Sequence, residues 1–405
     1  MKRSCLSSVR TLACLLLAVA VASQEIDAQI LPFLKSGSVV CGAERTDHYF
    51  SLIRGQRIGV VANPGSRVGA VHLVDTLLAA GLDVRKVFAP EHGFRGEAEA
   101  GELIKGGRDE RTGLPVVSLY GSHHKPTPTD LEGIDVILFD LQDVGVRFYT
   151  YISTLHYVME ACAEMDLPVV VTDRPNPNGF YIDGPLLDLA FKSFVGMHPV
   201  PVVYGMTIGE YARMINGEGW LPDGLNCRLT VVPCAGYDHG TEYVLPVKPS
   251  PNLPNQTSIY LYPSVCFFEG TVISLGRGTP LPFQVYGHPA LQGPFSFTPR
   301  SIPGVSVNPP LLGQECHGED LRVTGLDRVG QQRGLILDWL IDSYEKLKSD
   351  PGFFNNYFNT LAGTDQLKDQ IIQGVPASQI RQSWQSDLDR FRNVREKYLL
   401  YPDFR

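Results

Sequence analysis

Over residues 57–171 short, wholly apolar runs alternate with stretches of helical periodicity, and this alternation constrains the fold more than any other feature of the chain. The runs sit in RIGVVANPGS, VRKVFAPEHG, LPVVSLYG, DVILFDLQDVG and PVVVTDRPNP. The helical stretches are HLVDTLLAAGL, stopped at Gly81, and YISTLHYVMEACAEMDL, with Leu155, Val158, Met159 and Cys162 on one face. A strand that is apolar at every position must be covered on both sides, and strands separated by helices run parallel. The expected class is therefore α/β, with a parallel sheet between two helical layers.

Ligands of such sheets bind beyond the carboxyl ends of the strands, and there the polar residues of this chain collect. Asn63 and Ser66 follow the first run; Glu91, His92 and Arg95 the second; His123 and His124 the third. Asp140, Asp143 and Arg147 surround the fourth, and Asp173, Arg174 and Asn176 follow the fifth. No G-x-G-x-x-G or GK[ST] follows any of these runs, so a nucleotide has no phosphate cradle and no cofactor is expected. With 35 Lys and Arg against 43 Asp and Glu, a net charge of -8 and no basic block, the chain is not expected to bind nucleic acid.

Beyond about residue 180 the pattern turns Pro- and Gly-rich. Shorter strands are expected in LTVVPC, YVLPVKPSPNLPN, TVISLGRGTPLPFQVYGHP and LRVTGLDRV, and helices in GLILDWLIDSYEKLK and QSDLDRFRNVREKYLLY. This divides the chain into a sheet domain over residues 40–235 and a smaller α+β domain over 236–405 that completes a cleft. Lys2, Arg3 and Arg10 precede an apolar run over 12–22 that is too short to span a membrane, so residues 1–22 read as an export signal and the rest as an exported protein with no membrane span. The cysteines after it (Cys41, Cys162, Cys227, Cys234, Cys266 and Cys316) form no C-x-x-C and have no histidine partner at zinc spacing. His92, His123 and His124 lack the H-E-x-x-H setting, and no metal is expected.

Glu91 follows an apolar strand and precedes Gly93, which allows a sharp turn. A carboxyl group there, partly withdrawn from water, suits general-acid chemistry. FDLQDVGVRFYTY packs Asp140, Asp143, Arg147, Tyr149 and Tyr151 behind one strand end, a mixture that can grip a hydroxylated ligand by hydrogen bonds and ring stacking. Asp140 or Asp143 is a candidate second carboxylate; an Asp–Arg pair shaping the turn is the alternative. Glu269 and Arg277 are either ligand groups or a structural ion pair. Glu97, Glu99 and Glu102 read as a solvated acidic loop. No G-x-S-x-G or Ser/His/Asp triad can be singled out.

VVANP, APEHGFRG, SLYG with KPTP, FDLQDVGVRFYTYI, DRPNPNG, DGP, FVGMHPVPVVYGMTIGE, PSPNLPN, YPSVCFFEGT, SLGRGTPLPF and YLLYP, in that order, resemble the motifs of a bacterial family of exo-acting β-N-acetylmuramidases, glycoside hydrolases of peptidoglycan recycling. The resemblance runs from about residue 50 to the C-terminus. It implies a Rossmann-like domain, a smaller C-terminal domain, a cleft between them, and release of N-acetylmuramic acid from the non-reducing end of muropeptide-derived sugars. It further implies Glu91 as acid/base, Asp143 as its catalytic partner, and His92, Arg95, Asp140, Arg147, Tyr149, Tyr151, Asp173, Arg174, Asn252, Glu269 and Arg277 as substrate-binding residues. The lactyl carboxylate of muramic acid needs a cation, for which Arg95, Arg147, Arg174 and Arg277 are the candidates. A non-catalytic sugar-binding protein and an amide or ester hydrolase acting on decorated glycans are the alternatives.

Overall fold

The computed structural model describes residues 30–95, 107–349 and 351–404; the expected export signal and Glu97, Glu99 and Glu102 lie outside them. The first half runs α1 (Thr46–Ile53), β1 (Ile58–Ala62), a hairpin of β2 (Arg67–Val68) and β3 (Val71–His72), α2 (Leu73–Ala79), β4 (Val84–Ala89), β5 (Gly107–Arg108), β6 (Pro115–Ser118), α3 (Pro128–Leu131), β7 (Val136–Asp140), α4 (Tyr151–Glu164) and β8 (Val169–Thr172). Next come α5 (Ile208–Gly217), β9 (Leu229–Val232), α6 (Gln256–Val265), β10 (Val285–His288), β11 (Phe295–Phe297) and β12 (Cys316–Asp320). Five helices close the chain: α7 (Thr324–Gln332), α8 (Asp338–Leu347), α9 (Phe358–Ala362), α10 (Gln366–Ile372) and α11 (Ala377–Glu396).

Seven strands form the main sheet in the order β5-β6-β4-β1-β7-β8-β9, parallel throughout except for β5 at the edge. The central strands β1 and β7 are buried at every position because successive side chains enter different cores. In β7, Ile137 and Phe139 join the larger core, which continues into the C-terminal helices, while Val136 and Leu138 join a smaller one under α1 and α2. β10, β12 and β11 make a separate antiparallel sheet. No helix among the described residues is long and apolar enough to cross a membrane.

Two local readings change. LRVTGLDRV is mostly helix α7 rather than strand, because Val329 and Gly325 pack inward at helical spacing while Val323 stays exposed. YVLPVKPSPNLPN forms no strand of a sheet: its prolines carry no backbone donor, and only the Ser250–Leu253 bridge survives. Helix α5 arises where Thr207 and Glu210 cap each other's backbone amides, and α6 where Asn255 and Ser258 do the same.

Candidate active site

β4 ends at Ala89, and the chain then turns through two consecutive left-handed residues, His92 at φ 71° and Gly93 at φ 75°. Glycine takes that conformation freely and histidine does not, so the turn fixes Glu91 at the sheet rim at some backbone cost. β1 separates β4 from β7 in the sheet, so the segment after β7 faces Glu91 across one strand. Thr150, at the start of α4, donates from Oγ1 to Glu91 Oε2 at 3.0 Å, and the Tyr151 hydroxyl donates to the Glu91 carbonyl at 3.3 Å. Tyr120, just past β6, completes this wall; burial and the adjacent Glu91 carboxylate, to which it hydrogen-bonds, push its phenol well above the usual value.

Glu91, Tyr120 and Thr150 line one side of a pocket of about 170 Å³. The facing side comes from the second half of the chain: Ser250, Asn252, Tyr262, Glu269, Arg277, Phe283 and Tyr357. Arg277 is paired to Glu269, with Nε and Nη2 at 2.7 and 2.5 Å from Oε1, and its guanidinium lies 5.0 Å from the centre of the Phe283 ring. Asn252 donates to the Val305 carbonyl at 2.9 Å, which fixes its amide at the pocket wall. Phe194 and Tyr149 add ring surface, and His124 stacks on the back of Phe194 at 3.8 Å. The volume suits one sugar unit; a pocket for a drug-sized ligand is about 300 Å³ or more.

Of the expected site residues, the pocket brings together Glu91, His92, Tyr149, Asn252, Glu269 and Arg277. It leaves the others outside. Arg95 forks onto Asp75 and Asp109. Arg174 is fully committed to Asp140, at 2.7 and 2.8 Å, in a buried pair that also holds the Arg67 carbonyl. Asp140 is thus paired, but with Arg174 beyond the next strand and not with Arg147 of its own segment. Arg147 is entirely buried and donates to the carbonyls of Pro185, Val200, Leu361 and Ala362, tying α9 to the sheet domain.

Asp143, expected as a catalytic partner, lies behind the wall. Its Oδ2 accepts from the Gly145 amide at 2.7 Å and from the Tyr204 hydroxyl, and burial pushes its carboxyl up to about 6. Asp173 is likewise internal, accepting from Thr207, Gly209 and Tyr401, with burial raising it to about 6. Tyr151 packs edge-on against Tyr149 and supports the wall from behind. The sequence reading missed Tyr120, Thr150, Tyr262 and Tyr357. Tyr120 follows an apolar run and Thr150 sits two residues from the end of FDLQDVGVRFYTYI, so position behind a strand was the available signal; Tyr262 opens the motif YPSVCFFEGT, whose place in the series was its signal, and Tyr357 lies in a segment that carried none.

A carboxylate braced by hydroxyl groups beside a sugar-sized pocket, set at the rim of a Rossmann-like sheet, fits a glycoside hydrolase. Residues 58–257 match the N-terminal part, and residues 260–401 the C-terminal part, of the exo-β-N-acetylmuramidase NamZ family. The chain belongs to this family. It is 38% identical over 374 residues to the peptidoglycan β-N-acetylmuramidase NamZ of Bacillus subtilis (strain 168), covering 87% of this chain and 89% of that protein. Two DUF1343 family proteins of Bacteroides fragilis NCTC 9343 share the fold. One is 47% identical with a TM-score of 0.83, the other 28% identical with a TM-score of 0.76, and each match covers 90% of this chain and 99% of the other.

Proposed function

We propose that this protein is an exo-acting β-N-acetylmuramidase, a glycoside hydrolase that releases N-acetylmuramic acid from the non-reducing end of peptidoglycan fragments, with Glu91 as the proton donor to the leaving oxygen. One observation carries the assignment of the acid: of the two carboxylates lining the pocket among the described residues, Glu269 is held by Arg277, whereas Glu91 is braced by hydroxyl groups alone. A braced carboxyl group that is not neutralised by a cation can take up and return a proton. A route in which the substrate's own acetamido group attacks the anomeric carbon needs one protein acid plus a group that polarises the acetamide, and no second carboxylate nucleophile. The small pocket, closed by residues of both halves of the chain, favours removal of one terminal sugar over cleavage within a chain.

That Arg277 lines the pocket supports it as the cation for the lactyl carboxylate, with Asn252 and Tyr149 as further binding groups. Membership of a family with a muramidase relative favours this reading over a non-catalytic sugar-binding protein. The basic start and apolar run over residues 12–22 support export, and N-terminal sequencing of the exported protein should begin at Ser23. The test of function is release of aglycone from a chromogenic N-acetylmuramic acid glycoside. The wild-type protein should turn it over, and Glu91→Gln, folded as judged by its melting curve, should be slower by on the order of 10² or more. Binding without turnover in the wild type would favour the sugar-binding alternative.

A further inference from the structure

The cysteines are not evenly scattered: Cys41 and Cys234, 193 positions apart in sequence, face each other near the edge of the main sheet. Val40 and Ala235 exchange both backbone hydrogen bonds, at 2.9 and 2.8 Å, and so form a hydrogen-bonded antiparallel pair. The neighbouring pair in such a ladder is the close, non-hydrogen-bonded one, with Cα atoms about 4.5 Å apart. Here that pair is Cys41 and Cys234. Their backbone amides agree, since each turns away from the other strand: Cys41 to Glu44 Oε2 at 2.8 Å, and Cys234 to the Tyr401 hydroxyl at 2.8 Å. A Cα separation of this size falls within the disulfide range of about 4.4–6.8 Å.

We propose that Cys41 and Cys234 are a redox pair that closes into a disulfide on meeting a small-molecule disulfide oxidant, clamping the segment before β1 onto the chain that leaves β9. The two thiols are hydrogen-bonded to each other, and each has one further weak contact, Cys41 with the Tyr243 hydroxyl at 3.3 Å and Cys234 with the Asp173 carbonyl at 3.2 Å. The pair is asymmetric. The Cys234 thiol, against the cost of burial and with help from the Arg174 cation, holds Cys41 below the usual thiol value, whereas burial pushes Cys234 up. Cys41 is therefore the attacking sulfur.

The Cys41 thiolate attacks one sulfur of oxidised glutathione, expelling a glutathione thiolate and leaving a mixed disulfide. Cys234 gives up its proton and attacks the Cys41 sulfur, expelling the second glutathione thiolate. Two protein thiols are oxidised and one glutathione disulfide is reduced to two thiols. The clamp secures a segment that precedes the family-matched region, which starts at residue 58, and it is independent of the glycosidase reading. Cys162, Cys227, Cys266 and Cys316 are also buried and free, and they serve as internal controls.

The full-length protein is equilibrated in reduced and oxidised glutathione buffers, and separately refolded in them, then acid-quenched, alkylated and peptide-mapped. The expected result is one disulfide joining the Cys41 and Cys234 peptides, with the melting midpoint raised by several degrees in the oxidised sample. Cys41→Ser and Cys234→Ala should each abolish both the bond and the shift, and Cys162→Ala neither. Free Cys41 and Cys234 in every buffer after both treatments, stable mixed disulfides with glutathione, or a bond between other cysteines would overturn the proposal.

Discussion

Arg277 is the sharpest place to separate recognition of muramic acid from general sugar binding. It is the one arginine of the four sequence candidates that lines the pocket; Arg95, Arg147 and Arg174 spend their donors elsewhere. Replacing it with Met keeps an unbranched apolar side chain and removes both the charge and the guanidinium that lies over Phe283. A charge-assisted hydrogen bond contributes about 1.5–3 kcal/mol, roughly 10 to 150-fold in kcat/KM. Glu269, 2.5 Å away, already satisfies part of the guanidinium, so the loss should fall near the lower end, about tenfold to thirtyfold. It should be confined to the muramic substrate, because a glucosaminide has no lactyl carboxylate. Glu269→Gln works in the opposite sense: it removes a like charge and frees the guanidinium, so muramic kcat/KM should hold or rise. Paired kinetics on chromogenic muramic and glucosaminide substrates decide the matter, with melting curves to establish folding and Arg277→Lys as a charge-retaining companion. An equal loss on both substrates, or muramic preference intact in Arg277→Met, refutes the reasoning.

Thr150→Val removes the hydroxyl that braces Glu91 Oε2 and should lower kcat about fivefold with KM little changed, since one neutral hydrogen bond contributes about 1 kcal/mol. Asp143, raised to about 6 against about 3.9 when unfolded, keeps its proton longer in the folded state, so the stability it leaves intact below about pH 4 is lost as pH rises to about 6. Asp143→Asn should flatten that slope in denaturant titrations and stabilise the protein at pH 7 by up to about 3 kcal/mol; an unchanged slope would show that Asp143 does not titrate there. Arg147→Met strands four buried carbonyl groups and should lower the unfolding free energy by about 3 kcal/mol or more, visible as a lower urea midpoint.

The sheet was legible because a buried parallel strand leaves a plain mark: IGVVA, VILFD and VVVT are apolar up to their last residue or throughout, are buried at every position, and each became a strand. Glu91 was legible for a related reason, since a carboxyl group directly after such a run, beside a glycine, has few places to go except the rim. The arginines were not. Arg174 meets Asp140 across 34 residues and Arg147 meets carbonyls up to 215 residues away, and a guanidinium looks the same in sequence whether it is bound to the backbone, a carboxylate or a ligand. Asp143 was opaque for the same reason: it follows β7 within the expected segment, but its side chain turns into the core toward Tyr204. The far wall of the pocket was partly hidden because Pro-rich loops bear neither helical nor strand periodicity. LRVTGLDRV shows the remaining ambiguity, a short apolar run that packing made helical.

The most direct test of the central claim is a crystal structure of Glu91→Gln bound to an N-acetylmuramic acid-terminated disaccharide. The terminal sugar should lie in the pocket between Thr150 and Arg277, its glycosidic oxygen within about 3 Å of the residue-91 side chain and its lactyl carboxylate on Arg277. A disaccharide bound elsewhere, or seated with the glycosidic oxygen out of reach of residue 91, would contradict it.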